Sequence, residues 1–457
     1  MRNYLLNLMV LFSAAFAFGQ AGHIMQGVGS VNMSMGGAAT AQPIDISGAL
    51  QWNPASISVF DGTELRFDVG LFFSSPELSA TVPEVDGTGQ PTGRFFSGST
   101  PDDRGMSPLP ALAVVWGEAD SKHTFGVSAF GISGFGVTFP EETRTPQLVD
   151  DTFIYNPITA PQSQRGFGRI ESEYILLQVG FTYAYEITDQ LSIGVQPNLN
   201  FATLELLPNP TATPGPSGYP GTDKATAVGI GGQVGLFYDS GSGFKAGLAY
   251  KSTQAFGDFE LENTYLDESS NTNEFKINYP AIYSLGLGYS LGNVDLALDY
   301  RIVDYENTAG FKESGWTIVN GQPTGSVAGF GWDNISIISA GIQFKGIDKL
   351  PIRVGYTYSS NPINNDLAFF SIPATAIIKN AFQFGLTYEV NDRLQLNTTY
   401  HHGDSGGATR GPVLDPSQVL NFPPNGAIPG TEVSYDMTTD MVMFGFSYKW
   451  LNSGGNQ

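Results

Sequence analysis

The residues best suited to catalytic chemistry in this sequence lie close together near position 400. His401 and His402 are followed by Asp404 and Ser405, so the side-chain types of a Ser/His/Asp triad occur in one short stretch. A triad requires its nucleophile, base and orienting acid to lie within hydrogen-bonding reach of one another. Adjacent residues of a strand point to opposite faces, which separates the two histidines and argues against a paired metal site. We therefore predict no catalytic residues and no metal site here.

The glycine-rich stretch 229–232 (GIGG) looks like a phosphate-binding loop only superficially. The Lys-Ser/Thr that completes such a loop does not follow it, so these glycines are predicted to lie in a strand. The formal net charge of -22 argues against a nucleic-acid partner, which needs a basic surface. The chain contains no cysteine, which excludes a disulfide framework and a lipoprotein anchor. We predict a protein that is not an enzyme and needs no cofactor.

The amino-acid composition favours a β-barrel of an outer membrane. Aromatic residues make up 12% of the 457-residue chain and there are 56 glycines, whereas charged residues make up only 14%. Soluble domains contain roughly 25% charged residues, so this composition is not that of an ordinary soluble domain. After the N-terminus the sequence has no long apolar run of the kind that a membrane-spanning helix requires.

The first residues have the pattern of a secretory signal peptide. Arg2 precedes a mostly apolar run over 4–18, which ends among small residues that offer cleavage positions. We predict a signal peptide over 1–19 with cleavage after Gly19, and cleavage after Ala17 is the alternative. The run is short for a bilayer span, which argues against an uncleaved anchor. The remaining chain is predicted to contain a hatch over 20–62, a barrel over 63–450 and a tail over 451–457.

Apolar and polar residues alternate with a period of two from position 64 onward. In the first such segment Phe67 points to one face, while Arg66 and Asp68 point to the other. About fourteen segments show strand patterns of this kind. They include 122–138, 243–262, 274–291 and 293–312. Short turns alternate with long loops, so the predicted fold is all-β, a transmembrane antiparallel β-barrel of about fourteen strands with an N-terminal hatch in its lumen.

The stretch 27–56 does not alternate, and small residues dominate it. Small residues allow the backbone to pack closely against other backbone, so we predict a plug inside a larger structure. Its characteristic residues are Met33, Met35, Gly36, Gly37, Asn53, Pro54 and Ala55. Asp45 or Ser47 is expected to cap a short helical turn, and Asn53-Pro54 is expected to form a turn. The alternative is an ordinary glycine-rich linker.

The plug and the strand pattern together resemble the FadL-type channels for long-chain fatty acids and hydrocarbons. The resemblance covers essentially the whole mature chain. It is carried by the stretch 33–38 (MSMGGA), Asn53-Pro54-Ala55, the glycine-broken strands 109–116 and 125–139, the strand start 279–281 (YPA), the loop start 359–362 and Ile372-Pro373. It implies an N-terminal hatch that plugs the lumen. It also implies a kinked third strand, through which a hydrophobic ligand leaves sideways into the outer membrane.

The lateral opening is predicted in the third strand, 122–138. Glycines cluster there, and clustered glycines in a strand mark a bulge or a close approach of other backbone. The predicted gate residues are Gly131, Gly134, Phe135 and Gly136. The alternative is a tight barrel corner without a gate.

Ligand contacts are predicted from apolar loop residues and from cations in the lumen. The candidates are Phe153, Ile154, Tyr155, Leu206, Leu207, Arg301 and Arg353. The loop residues are more apolar than surface decoration requires, which suits first contact with an apolar solute. By strand parity the two arginines face the lumen, where they either contact the ligand or pair with acidic groups in a structural network.

The resemblance implies a passive channel in the outer membrane of a Gram-negative cell that takes up long-chain fatty acids or similar hydrocarbons. Its expected partners are hydrophobic small molecules (fatty acids and detergent-like lipids), outer-membrane lipid and lipopolysaccharide. The chain is expected to act as a monomer. The alternative is a partner-binding role in outer-membrane protein secretion, which FadL-related barrels also serve.

Overall fold

A computed structural model describes residues 22–85, 91–118, 121–142, 147–149 and 152–450. The predicted signal peptide over 1–19 and the predicted tail over 451–457 lie outside the described residues. Within the described part of the chain, no helix combines the length and the apolar character needed to cross a membrane.

Fourteen antiparallel strands form a closed barrel, which confirms the predicted fold. The strands are β1 (Gly62–Val85), β2 (Met106–Gly117), β3 (His123–Phe139), β4 (Ile170–Thr188), β5 (Leu191–Leu207), β6 (Ala225–Asp239), β7 (Phe244–Lys251), β8 (Ala281–Leu291), β9 (Val294–Asp304), β10 (Ile335–Phe344), β11 (Ile352–Ser359), β12 (Asn380–Glu389), β13 (Leu394–Asp404) and β14 (Glu432–Trp450). The barrel closes where β1 pairs with β14, from Thr63 opposite Trp450 to Thr81 opposite Glu432. Closure joins the two end strands, so neither presents the exposed sheet edge that a bilayer disfavours.

The wall has an apolar outer face and a polar inner face because side chains alternate along each strand. In β1, Phe67 is 38% exposed on the outside, whereas Arg66 and Asp68 are buried on the inside. In β6, Ile230 is 67% exposed on the outer face. The outer surface is therefore suited to contact with hydrocarbon.

The long loops contain regular structure of their own. The other strands are Pro91–Pro101, Gln147–Val149, Thr152–Ile154, Gly221–Thr222, Ala255–Phe256, Phe259–Thr264, Ser270–Phe275, Trp316–Val319, Gln322–Val327 and Thr409–Gly411, and the 3₁₀ turns in the loops are Gln162–Gln164, Asn365–Ser371 and Pro416–Gln418. The largest addition to the wall is Pro91–Pro101, which pairs with residues 77–85 of β1.

Three strand predictions were too long. They are 243–262, 274–291 and 293–312, which correspond to the shorter strands β7, β8 and β9. The alternation in 259–264 and 270–275 belongs to a separate sheet in the loop between β7 and β8. After β9, the apolar residues Tyr305 and Phe311 are buried in the core instead of continuing the wall. Alternation therefore located the strands but did not separate the wall from loop sheets.

Residues 22–60, which we call the luminal segment, lie inside the barrel. They contain α1 (Gly29–Ser34), α2 (Ile46–Trp52) and a 3₁₀ turn, Pro54–Val59, and every residue of both helices is buried. Of the two predicted caps, Asp45 is the one at the start of α2, where its side chain accepts a hydrogen bond from Gly48 N (3.3 Å). The Asn53 side chain accepts one from Ala55 N (3.1 Å) and starts the 3₁₀ turn. The segment is a folded part of the core, so the linker alternative is wrong.

Candidate functional site

The luminal segment is fixed to the wall on one side by Asp299 of β9. Its carboxylate accepts hydrogen bonds from Ala39 N (3.0 Å), Thr40 N (3.0 Å) and Thr40 Oγ1 (2.7 Å). Arg301 pairs with Asp299 (2.5 Å) and donates to the Gly37 carbonyl oxygen (2.8 Å). Its guanidinium also stacks 3.7 Å above the ring of Trp52. Arg301 thus contacts both the wall and the luminal segment.

A second carboxylate on the wall, Asp68 of β1, binds the start of α1. It accepts hydrogen bonds from Ser30 N (2.9 Å) and from the Ser30 hydroxyl. Arg66 lies between two carboxylates, with its Nε 3.0 Å from Asp68 and 3.3 Å from Asp45 of the luminal segment. Buried charges are tolerated when they are paired and hydrogen-bonded in this way.

The strands of the wall have glycines at points where the luminal segment contacts them. A Cβ atom on Gly355 of β11 would overlap Gly36 N, and one on Gly194 of β5 would overlap the backbone at Pro54 and Ala55. Only glycine allows backbone to approach backbone this closely. The predicted hatch residues all lie in this buried contact zone: Met33, Met35, Gly36, Gly37, Asn53, Pro54 and Ala55. Small residues are therefore required on both sides of the contact.

Strand β3 contains one extra residue. Its pairing with β4 shifts between Gly131 opposite Leu177 and Ser133 opposite Leu176, which leaves Ile132 as a β-bulge. A bulge reverses the facing of the residues that follow it, so Phe135 points inward and is buried. Three predicted gate glycines thus lie at the bulge or just beyond it.

The start of the luminal segment pairs with β3 at this bulge. Ile24 forms an antiparallel bridge with Ser133, and Met25 N donates to the Ile132 carbonyl oxygen (3.0 Å). The His23 carbonyl oxygen accepts from Gly134 N (3.1 Å) and from the Ser133 hydroxyl (2.9 Å). The bulge therefore exposes backbone groups that residues 23–25 satisfy.

Strands β2 and β3 separate toward the C-terminal end of β3, where the bulge lies. Their pairing stops at Ala111 opposite Phe130. Beyond that point β2 still pairs with β1, and β3 still pairs with β4. The wall therefore has a gap between residues 106–110 and residues 131–139.

The gap opens into a cavity of about 190 Å³, which we call the lateral cavity. On the inside it is lined by Met25 of the luminal segment and by Met437 of β14, both of which are buried. On the outside it is lined by Met106 and Ile175, which are 50% and 43% exposed. It reaches from the core of the barrel to the apolar outer face. Gly134, Phe135 and Gly136 also line it.

Arg104 covers the outer part of the lateral cavity. Its side chain lies over Gly136, where a Cβ atom would overlap the guanidinium, and its Nη1 donates to the Ser172 carbonyl oxygen of β4 (2.7 Å). It thus reaches across β3 from the β2 side of the gap to β4. Sequence reasoning missed this residue, because a single arginine in a polar loop carries no pattern that marks it.

The loop before β2 is fixed to the end of β3. Asp103 N donates to the Thr138 carbonyl oxygen (2.8 Å), and the Asp102 carboxylate accepts from Thr138 N and from Arg104 N (3.2 Å). Burial raises the pKa of the Asp102 carboxyl above its ordinary value, although these hydrogen bonds oppose the shift. The loop holds Arg104 over the gap.

Aromatic rings pack around the first residues of the luminal segment. The His23 ring lies 4.8 Å from Phe311, 5.4 Å from Tyr305 and 5.9 Å from Trp332, measured between ring centres. Its Nδ1 is hydrogen-bonded to the Tyr305 hydroxyl (2.7 Å). Tyr174, which lines the lateral cavity, lies 6.1 Å from the same ring. Loop residues after β9 therefore cover the end of the luminal segment that meets β3.

The long loops enclose a second cavity of about 170 Å³, which we call the outer cavity. Its lining is mainly apolar and aromatic, and includes Pro208, Pro210, Trp316 and Phe369. The predicted capture residues Leu206 and Leu207 precede this lining, and the first is buried whereas the second is 37% exposed. The Tyr155 hydroxyl donates to the Gln164 carbonyl oxygen (3.0 Å). The side chains of Phe153 and Ile154 lie outside the described part of the structure.

The two predicted luminal cations do not line either cavity. Arg301 contacts the luminal segment as described above. Arg353 Nε donates to Gln343 Oε1 (2.7 Å), and its Nη2 donates to Thr387 Oγ1 (2.5 Å). Their role as ligand contacts stays a prediction.

The two histidines near position 400 point to opposite faces of β13. His401 is buried and its Nδ1 lies 3.3 Å from Gln383 Nε2 inside the barrel. His402 lies on the outer face, 2.7 Å from Asp440. The Ser405 hydroxyl accepts a hydrogen bond from Met437 N (3.3 Å). The structure does not bring these side chains together as a triad.

These features define a class of protein: a closed barrel with an apolar outer face, whose lumen is filled by its own N-terminal segment. The family described as outer membrane protein transport protein (OMPP1/FadL/TodX) matches residues 163–449, and the chain belongs to that family. It is an outer-membrane transport protein and not an enzyme. A search of curated proteins gave no match.

Solved structures with the same fold cover nearly the whole chain. A FadL homologue from Pseudomonas aeruginosa superposes with a TM-score of 0.68 at 13% identity, covering 94% of this chain and 100% of that one. The P. putida toluene transporter TodX gives 0.62 at 17% identity, covering 93% and 99%. The Ralstonia pickettii toluene transporter TbuX gives 0.58 at 16% identity, covering 93% and 99%. At these identities the likeness establishes the fold.

Proposed function

We propose that this protein is a passive channel for the uptake of hydrophobic molecules, with long-chain fatty acids or similar hydrocarbons as ligands. The observation that carries the proposal is the lateral cavity, which reaches from buried core residues to the outer face through the gap between β2 and β3. Membership of a family of outer-membrane transport proteins supports transport. Two proteins of the same fold are toluene transporters, which supports an apolar ligand.

The proposed path begins at the outer cavity, whose prolines and aromatic rings offer an apolar surface to a solute arriving from outside. Burial of apolar area is favourable by roughly 25 cal/mol per Å², so such a solute gains free energy on leaving water. It then reaches the lateral cavity and leaves sideways into the hydrocarbon of the outer membrane. A water-filled pore would offer no comparable gain.

In this proposal the luminal segment acts as the hatch. Residues 23–25 occupy the inner side of the lateral cavity through their hydrogen bonds to β3. A ligand that arrives from the lumen must displace them. The hydrogen bonds from the segment to Asp68 and Asp299 are made by later residues, Ser30 and Ala39. The first residues of the segment can therefore move while the remainder stays in place.

Deletion of Ile132 tests the proposal. Removing the bulged residue restores a regular register between β3 and β4, so β3 can pair with β2 along the gap. We expect whole-cell uptake of a labelled long-chain fatty acid and of toluene to fall to the level of cells that lack the protein. The heat stability of the folded barrel on a gel should be kept.

The matched control is Ile132→Val, which keeps the extra residue and therefore the bulge. It should take up both ligands at the wild-type rate. Unchanged uptake of several fatty acids and aromatic compounds after deletion of the whole gene would remove the transport proposal. Full uptake by the Ile132 deletion would remove only the lateral path.

A further inference from the structure

A groove crosses the outer face of the wall from β5 to β9. Its floor is a row of small residues, one from each of β5 to β8, that lie opposite one another in the sheet. Gly194 pairs with Gly235, Gly235 with Ala249, and Ala249 with Ser284. The floor therefore runs across the strands and not along them.

Two rows of large apolar side chains flank this floor. One row begins at Ile193 and ends at Tyr300, the other begins at Val195 and ends at Ile302, and each row takes one outward-facing residue from each of the five strands. None of the described residues that line the groove is charged. Its volume is about 600 Å³, and pockets that hold small ligands have roughly 300–1,000 Å³. The groove is therefore large enough for a ligand of purely apolar character.

The floor of the groove lies directly against the luminal segment. A Cβ atom on Gly235 would overlap the Asn53 side chain, and one on Gly194 would overlap the backbone at Ala55. The lack of these Cβ atoms allows β5 and β6 to approach the segment closely. The flanking side chains point the other way, toward lipid, so the small-residue row between them forms the bottom of a depression.

The position and slope of the groove match one leaflet of the membrane. It begins near short turns, since Gly194 is three residues from Leu191, where β5 starts, and Gly235 is four residues from Asp239, where β6 ends. Short turns face the periplasm in barrels of this kind. Neighbouring strands are about 4.8 Å apart, so a row across five strands is about 19 Å long. Because strands tilt by about 40°, this row rises about 12 Å, which fits within half of a hydrocarbon core about 30 Å thick.

We propose that this groove binds one acyl chain of a phospholipid from the periplasmic leaflet of the outer membrane. The inference is independent of the transport proposal, because the groove and the lateral cavity are lined by different residues of different strands. The surroundings are already hydrocarbon, so the chain gains packing contacts and not release from water. A chain in the groove contacts the floor and both flanking rows, whereas a chain on the convex remainder of the wall has contacts on one side only.

The shape of the groove favours a lipid chain over a second copy of the protein. The outer face of a barrel is convex, and two convex faces leave a depression between them unfilled. The described lining also offers no charged group to a protein partner. A single flexible chain can fill the groove along its whole course.

The test titrates the purified full-length protein with palmitoyl-oleoyl phosphatidylethanolamine and measures bound lipid by native mass spectrometry. Val234 flanks the floor next to Gly235, so the larger ring of Val234→Trp covers the floor. We expect the affinity for the first lipid to fall about tenfold, because the chain loses about ten contacts between atoms. Val195→Trp, in the same row on the neighbouring strand, should have the same effect and serves as the second variant if the first does not fold.

Val228→Trp is the matched control. Val228 is an outward-facing valine of the same strand, 55% exposed, and does not line the groove. This variant should bind the first lipid as tightly as the wild type. Unchanged lipid binding by the folded groove variants would overturn the inference, as would equal weakening by Val228→Trp.

Two further outcomes would assign the groove to another occupant. The same spectra report the oligomeric state, and a wild-type dimer that Val234→Trp dissociates would assign the groove to a second copy. Whole-cell uptake of a labelled fatty acid by Val234→Trp should equal that of the wild type. Loss of uptake in that variant, with uptake kept by Val228→Trp, would place the groove on the transport path and overturn its assignment to a resident phospholipid.

Discussion

Asp299 and Asp68 are the residues that connect the wall to the luminal segment. Asp299 accepts hydrogen bonds from two backbone amides of the segment and Asp68 from one, and each is paired with an arginine of its own strand. Buried backbone amides must be satisfied, and a carboxylate satisfies several at once. The segment is therefore held by a few strong polar contacts as well as by packing.

Asp299→Asn should loosen the luminal segment. The change removes the negative charge next to Arg301, and loss of one partner of a buried ion pair costs about 3–5 kcal/mol. We expect a lower midpoint in denaturant titration of the purified barrel and a higher conductance in planar bilayers.

Asp295→Asn is the control for this change. Asp295 lies on the same strand and pairs with Lys345, whose side chain is 40% exposed. The cost of breaking a partly exposed pair is small, about 1 kcal/mol or less. Equal effects of both substitutions would contradict the anchoring role of Asp299.

At the residue scale the sequence could predict side-chain facing but not partners. Parity correctly put Arg301 and Arg353 inside, where both are buried, because the period of a strand is two. It could not identify which carboxylate meets which segment of chain, since those contacts join residues far apart in sequence. Arg104 could not be found for the same reason: its importance depends on a gap that no local pattern encodes.

Two elements, β3 and the luminal segment, make close contacts between backbone and backbone. The bulge in β3 allows residues 23–25 to bind its backbone, and glycines of other strands allow the helices to lie against the wall. The glycine cluster predicted irregularity in the third strand. The extra residue itself, Ile132, was not predictable, because the alternation continues on each side of it with reversed facing.

Gly355→Ala should displace the luminal segment from its position. The added Cβ would overlap backbone of Gly36, which cannot turn aside as a flexible side chain can. Overpacking of a close contact costs about 1–3 kcal/mol. We expect a lower heat-unfolding midpoint and greater permeability of cells to small hydrophilic antibiotics.

Gly232→Ala is the matched control on β6. Its Cβ would meet Gln196 O at 3.4 Å, which is an ordinary contact distance. This variant should resemble the wild type in both measurements. If Gly355→Ala does so too, the wall and the segment are less closely fitted than the structure indicates.

At the scale of the whole molecule, the lumen is the core of the protein. The luminal segment, the inner faces of the strands and the folded loops after β9 and β11 pack together there. Composition and the alternation of short turns with long loops predicted the barrel. The stretch 27–56, in which apolar and polar residues do not alternate, predicted the plug. The arrangement of the loops over the plug was not predictable, because their apolar residues follow no regular period.

A disulfide between the luminal segment and β3 tests whether the segment must move. Ile24 and Ser133 lie opposite one another in an antiparallel bridge, a geometry with a Cα separation of about 4.5–5.5 Å that a disulfide can span. The chain has no native cysteine, so Ile24→Cys with Ser133→Cys gives one defined crosslink. We expect fatty acid uptake to stop when the pair is oxidised and to return on reduction.

The two single-cysteine variants are the controls, and both should transport with or without reductant. Undiminished uptake by the oxidised double variant would show that ligands pass without displacement of residue 24. That result would leave the barrel and its gap unchanged but would require a path around the luminal segment.

The bulge at Ile132 also has a genetic consequence. A gapped wall and a continuously paired one differ here by a single residue, which is one in-frame codon. Point substitutions throughout β3 conserve chain length, so they leave the gap in place, whereas loss of that codon removes it in one step. We expect a selection for cells that have lost uptake through the channel to recover short in-frame deletions in β3. Sequencing of such isolates would show whether the deletions cluster around position 132.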